Sequence, residues 1–172
     1  LGGELDVVIP SLPGYGFSGV LPTAFSAAAV ADRWNALMTS ELGYRRYLTY
    51  GEDVGAGVSD WLAGAHPAVA GVVASHASFS ARSRPGVELD ETERAFLASV
   101  GSSAESGLHP IIEVPASILI QTHEGAYPRS LAEKSYSDIR SFERLSHGGH
   151  FTAWENPAAI ASAVLALEEI VR

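Results

Sequence analysis

Three stretches of this chain set reactive side chains among glycines. Gly51-Glu52-Asp53-Val54-Gly55-Ala56-Gly57 centres a carboxylate in a turn of small residues, and Gln121-Thr122-His123-Glu124-Gly125 carries a second carboxylate. Leu145-Ser146-His147-Gly148-Gly149-His150-Phe151 carries two histidines. The pattern Gly-x-nucleophile-x-Gly between a strand and a helix marks a nucleophile elbow, a turn so tight that the positions two before and two after the apex must be small. Gly51 and Gly55 meet that demand, and the apex is Asp53. A carboxylate can attack a saturated carbon and leave an alkyl ester, which water can then hydrolyse at the carbonyl carbon. A serine at the same place would leave an ether that no water opens, so Asp53 argues against an esterase or a protease. The helix N-terminus that follows favours the anionic form needed for attack.

The chain order is nucleophile, acid, histidine: Asp53, Glu124, His150. Such a triad divides the work in a known way. His150, oriented by Glu124, would take a proton from water, and the backbone N–H of Val54 would donate to the developing oxyanion. Taken singly, each residue has a plainer reading. Asp53 could be an acidic N-cap, Glu124 a solvated loop carboxylate, and His147 and His150 ordinary loop histidines. A metal site could draw on His123, Glu124, His147 and His150, but two glycines separate the last two histidines and fix no ligand geometry. The expectation is therefore no metal and no cofactor.

The elements that must position these groups alternate along the chain. Short β-branched runs occur at Asp6-Val7-Val8-Ile9, Arg46–Tyr50, Gly71–Ser75 and Ser117–Gln121, with a more polar one at Arg140–Leu145. The first, third and fourth are nearly continuous apolar runs, as expected of strands buried on both faces. Helical patterns run from Ala27 to Leu42, with Val30, Trp34, Leu37 and Met38 on one face and Gly43 as a stop. Others run from Gly55 to Ala65 and from Pro157 to Val171, the last with Asn156 as N-cap. Strands and helices at this spacing imply an α/β fold with a mostly parallel sheet, which places ligand sites at the carboxyl ends of its strands. Between Ser80 and Pro110 the chain turns Ser/Gly/Arg-rich around one short helix from Asp90 to Val100, and reads as an excursion from the sheet. Glu88, Asp90, Glu91 and Glu93 read as a solvated acidic face.

Composition narrows the classes. The chain has 172 residues, 47% hydrophobic and 18% charged, which suits one core domain spanning 1–172. Eleven Lys+Arg against twenty Asp+Glu give a net charge of −9, unfavourable for nucleic acid or an anionic membrane. No apolar run is long enough to span a bilayer. The absence of cysteine excludes disulfides and thiol catalysis. With no basic-then-apolar leader, the expected location is cytoplasmic. Oligomeric state is not readable.

The chain resembles epoxide-hydrolase-type α/β-hydrolases, near the microsomal-like bacterial branch. Residues Asp6 to Ser18 (DVVIPSLPGYGFS), Gly51 to Val58 (GEDVGAGV) and Gly148 to Ala153 (GGHFTA) carry the resemblance. It covers residues 4–78 and 112–171 well and 88–100 loosely. In the family the acid precedes the histidine by a little under thirty residues, and here the interval is 26. The resemblance implies an α/β-hydrolase fold in which Asp53 opens a small apolar epoxide, Glu124 and His150 activate water, and a vicinal diol leaves.

Departures from the family pattern are equally explicit. The family has an upstream strand ending in a His-Gly-x-Pro turn, which supplies a second oxyanion contact. Leu1 falls after it, as expected of an N-terminally truncated chain with a gap in mid-sheet. The family also inserts a helical cap between the strands at Gly71 and Ser117; residues 80–110 read as its remnant, begun by Leu89–Leu97. Two cap tyrosines that protonate the epoxide oxygen match no residue here, and Tyr127 and Tyr136 read as surface loop aromatics. Phe17 and Trp154 read as pocket-lining or, in preference, as core residues. Val54, where many relatives have Trp, disfavours a haloalkane dehalogenase. The alternative to an active enzyme is an inactive, truncated or degenerate hydrolase.

Overall fold

The computed structural model describes residues 5–22, 24–76, 78–100 and 108–172. Four strands form one parallel sheet: β1 (Tyr47–Gly51), β2 (Val69–Ala74), β3 (Ala116–Ile120) and β4 (Ile139–Arg144), in the order β1-β2-β3-β4. Every residue of β2 and β3 is buried, as their unbroken apolar runs require, whereas β1 and β4 are partly exposed at the edges. The register aligns Gly51 with Ala74, and Ile120 with Arg144. The loops leaving these strands therefore gather along one margin of the sheet, where a parallel α/β sheet builds its sites.

Helices cover both faces. On one side α1 (Ala27–Ala36) and α2 (Val54–Ala65) bury Val30, Val58 and Leu62 with Val72, Ile118 and Ile120. On the other, Ile160, Ala163 and Leu167 of α6 (Pro157–Val171) pack on Val73 and Leu119. Asn156 caps α6 through the Ala159 N–H, with Pro157 in the first turn, as the sequence implies. The expected helix from Ala27 to Leu42 is α-helical only to Ala36 and then widens into a π turn, Leu37–Glu41, before Gly43.

The run Asp6–Ile9 corrects the sequence reading. It is not part of the sheet, and Val7 and Ile9 are exposed to 54% and 87%. An apolar run becomes a buried strand only when a neighbour pairs with its backbone. In the sheet β1 forms the open edge and pairs with β2.

The excursion after β2 packs closely. A 3₁₀ turn at Ser80–Ser83 leads to α3 (Glu91–Ser99), whose Phe96 and Leu97 enter the core. A capping box starts α3: Asp90 accepts from the Glu93 N–H while Glu93 accepts from the Asp90 N–H. Glu93 is therefore no solvated residue. It is fully buried and pairs with Lys134 at 2.9 Å. Residues 101–107 of the expected cap remnant lie outside the described residues. Two further helices, α4 (Arg129–Glu133) and α5 (Thr152–Glu155), are single turns without a sequence signal long enough to read. No helix is long and apolar enough to cross a membrane among the described residues.

Candidate active site

Asp53 stands between β1 and α2 with φ 51° and ψ −126°, the one non-glycine residue at positive φ among the described residues. That conformation is strained for a residue with a Cβ and is held by its surroundings. A Cβ at Gly51 would lie 2.1 Å from the Gly55 carbonyl oxygen, so glycine there is compulsory. A Cβ at Gly55 would meet nothing within 4 Å. The requirement for small residues on both sides of the apex thus holds at Gly51 and fails at Gly55, because it is the backbone of Gly55 that Gly51 must accommodate.

His150 Nε2 lies 3.8 Å from Asp53 Oδ1, and both side chains are about half exposed, 51% and 57%. The separation is too long for a hydrogen bond and close enough for charge interaction. Gly148, at φ +95°, turns the loop before His150. Side chains from the end of β3 hold that loop: Gln121 Nε2 donates to His150 O at 2.7 Å and to Thr152 Oγ1 at 2.9 Å, and Thr122 Oγ1 donates to Gly148 O at 2.7 Å. Glu124 ends the short turn Thr122–Glu124 and is half buried. The turn lies against the histidine loop, with the His123 and His150 ring centroids 6.0 Å apart. The structure thus pairs Asp53 with His150 and anchors the Glu124 turn to the same loop. The Val54 N–H is the first of α2, one of the helix's unpaired N-terminal donors. Among the described residues no three potential ligand side chains converge as a metal site requires.

Sequence reasoning missed Glu52. Its Oε1 accepts from Tyr50 Oη, from Ser75 Oγ at 3.5 Å and from the Ala153 N–H at 2.7 Å, tying the elbow to the end of β2 and to α5. It also missed a buried network below the elbow. Asp60 of α2, 3% exposed, faces His76 Nε2 at 3.1 Å and His109 Nε2 at 3.3 Å, and accepts from Tyr136 Oη at 2.9 Å. Ser78 Oγ lies 2.9 Å from His109 Nε2, and Tyr127 Oη donates to Ser78 O at 2.9 Å. Burial pushes the Asp60 carboxyl upward, but His76, His109 and Tyr136 outweigh it, and the group ends below its ordinary range. His76 feels the converse: burial lowers it, and Asp60, Glu124 and Glu52 together raise it above the ordinary imidazole value. The one available hint was a lone charge, Asp60, inside an otherwise apolar helix.

Four aromatic assignments reverse. Tyr127 and Tyr136 are buried, because Ser78 O and Asp60 satisfy their hydroxyls inside the core. Burial, with Asp60 next in effect, pushes both phenols well above their ordinary value. Phe17 and Trp154, expected in the core, are exposed. Phe17 sits on a loop and Trp154 on a one-turn helix.

No family model matches the chain. It is 43% identical over 75 residues to a protein of Stigmatella aurantiaca named "Putative epoxide hydrolase", and 41% identical over 64 residues to the juvenile hormone epoxide hydrolase of Bombyx mori. These matches cover 42% and 37% of this chain, and 16% and 14% of the relatives. The structure superposes on Aspergillus niger epoxide hydrolase with a TM-score of 0.71 at 18% identity, over 95% of this chain and 63% of that one. For the Bombyx mori juvenile hormone epoxide hydrolase structure the values are 0.70, 22%, 95% and 59%. The fold is that of the α/β-hydrolases, and part of the chain is similar in sequence to epoxide hydrolases. The chain spans less than two thirds of those solved structures.

Proposed function

We propose that this epoxide hydrolase-like chain carries the two-step chemistry of an epoxide hydrolase on an Asp53–Glu124–His150 triad. The observation that carries the reading is Asp53 itself, a carboxylate in a strained elbow with His150 Nε2 3.8 Å away. In the first step an Asp53 oxygen attacks an epoxide carbon, the C–O bond breaks, and its electron pair stays on the departing oxygen. The product is a hydroxyalkyl ester once that oxygen takes a proton from water, and the hydroxide left behind is neutralised by the proton that His150 takes up in the second step. In the second step His150, oriented by Glu124, takes a proton from water, and the resulting hydroxide attacks the ester carbonyl. The oxyanion meets the Val54 N–H, the diol leaves, and Asp53 is restored as a carboxylate. The half-exposed pair lets both water and a small apolar epoxide approach.

The ester route has an isotopic signature, because water attacks the enzyme's carbonyl carbon and not the epoxide. Single turnover in H₂¹⁸O should give unlabelled diol, and repeated turnover should place ¹⁸O in the peptide containing Asp53. Label in the diol from the first turnover would exclude the ester route. Absence of diol from a cooperatively folded chain would favour the inactive hydrolase.

A further inference from the structure

The proposed reaction moves negative charge onto the departing epoxide oxygen, and carboxylates already flank the reaction, Glu52 and Asp53 on the elbow and Glu124 on the acid turn. A positive group in the crevice between the elbow and the acid turn would balance them. His76 stands on the segment of chain that runs between them. It lies two residues beyond the end of β2, the strand between β1, which carries the elbow, and β3, which carries the acid turn. The register pairs Gly51 with Ala74 and Ala74 with Ile118, so the chain at His76 runs level with Asp53 on one side and with the end of β3 on the other. Its Nε2 is 3.1 Å from Asp60 Oδ2, below the elbow on α2. Its Nδ1 is buried and has no hydrogen-bond partner among the described residues. A buried imidazolium N–H without an acceptor is costly and calls for water or a ligand atom.

We propose that His76 is a positioning residue that keeps a positive charge beside the elbow, held by Asp60, and so stabilises the oxygen that departs when Asp53 attacks an epoxide. The inference rests on the epoxide-opening reading above and deepens it. The charged and titratable groups around His76 are Asp60 from α2, Glu52 from the elbow and Glu124 from the acid turn. His109 and Tyr136 reach it through the oxygens of Asp60. Asp60 is thereby held by His76 on one oxygen and by the Tyr136 hydroxyl on the other, with His109 Nε2 3.3 Å away, which fixes its orientation and gives His76 a rigid counter-ion. No bond to His76 forms or breaks. The charge acts through space, in a site where it is worth more than in water.

The test follows Asp53 alkylation by phenyl glycidyl ether in a His150→Gln background, read by intact-protein mass from pH 5 to 10, together with NMR titration of the His76 imidazole. The ester-forming rate should fall as pH rises through the His76 titration. His76→Gln should slow the reaction by roughly tenfold or more on the acid side and flatten the profile. Asp60→Asn should move both the rate limb and the imidazole titration to lower pH. Where either variant fails to fold, coincidence of the two titrations in the His150→Gln protein decides. An adduct whose pH profile ignores His76→Gln, or a limb that does not coincide with His76, overturns the inference and leaves the epoxide reading standing. No adduct from any folded variant overturns both.

Discussion

The elbow makes a sharp demand on one glycine and none on its neighbour, so a paired substitution measures the backbone directly. In Gly51→Ala the new Cβ would lie 2.1 Å from Gly55 O, 2.4 Å from Gly55 C and 3.0 Å from Ala56 N, against 3.4–4 Å for an ordinary contact. All three atoms are backbone, so no side chain can swing aside. Either the elbow opens or the first turn of α2 shifts, at about 3 kcal/mol or more. That lowers the folded-to-unfolded ratio roughly a hundredfold. In Gly55→Ala the Cβ enters open space inside a helix, and the unfolded chain loses freedom. That substitution should gain about 0.5–1 kcal/mol. With a urea m-value of about 2 kcal/mol/M, the unfolding midpoint should fall by about 1.5 M for Gly51→Ala and rise by about 0.3 M for Gly55→Ala. Equal midpoints for Gly51→Ala and the unsubstituted chain, at unchanged m, would refute a strained elbow at Asp53.

Other substitutions probe the supports of the site. Asp53→Gly should raise stability by about 1 kcal/mol by relieving the positive φ, while removing the nucleophile; thermal unfolding and an epoxide-adduct assay together check it. Gln121→Leu strips the His150 and Thr152 acceptors of their donor, and should cost about 1–3 kcal/mol and slow ester hydrolysis more than ester formation, as stopped-flow kinetics would show. Glu93 carries a pH prediction. Burial raises its pKa, but Lys134, the Asp90 N–H and Ser130 outweigh burial and hold it below its ordinary value. A depressed carboxylate contributes stability above its unfolded pKa of about 4.3 and loses it as pH falls through the folded value. Stability should therefore drop as pH falls below about 4.3, and Lys134→Met should cost about 3 kcal/mol at neutral pH by stranding the charge, both measurable by urea unfolding.

What the sequence disclosed followed from local signals. β2 and β3 are legible because strands covered on both faces need unbroken apolar runs, and α6 because Asn156 and Pro157 announce its start. The proposed triad residues drew notice because each follows a strand, and a parallel sheet brings the loops after its strands to one margin. Asp6–Ile9 reads like β2, yet its fate depends on whether a partner strand flanks it, which no local pattern encodes. The network around Asp60 is invisible for a similar reason. His76, His109 and Tyr136 come from distant segments and meet only when the chain folds. Tyr127 and Tyr136 looked like loop aromatics because their buried partners, Ser78 O and Asp60, lie 49 and 76 residues away.

The central claim is that Asp53 is a nucleophile, and the mass of the intact chain tests it most directly. His150→Gln protein exposed to a small glycidyl ether should gain the mass of one epoxide, because attack proceeds while ester hydrolysis is blocked. The gain should vanish when Asp53 is also changed to Asn. A cooperatively folded His150→Gln chain that gains no mass, or one whose adduct persists in the double variant, would contradict the assignment.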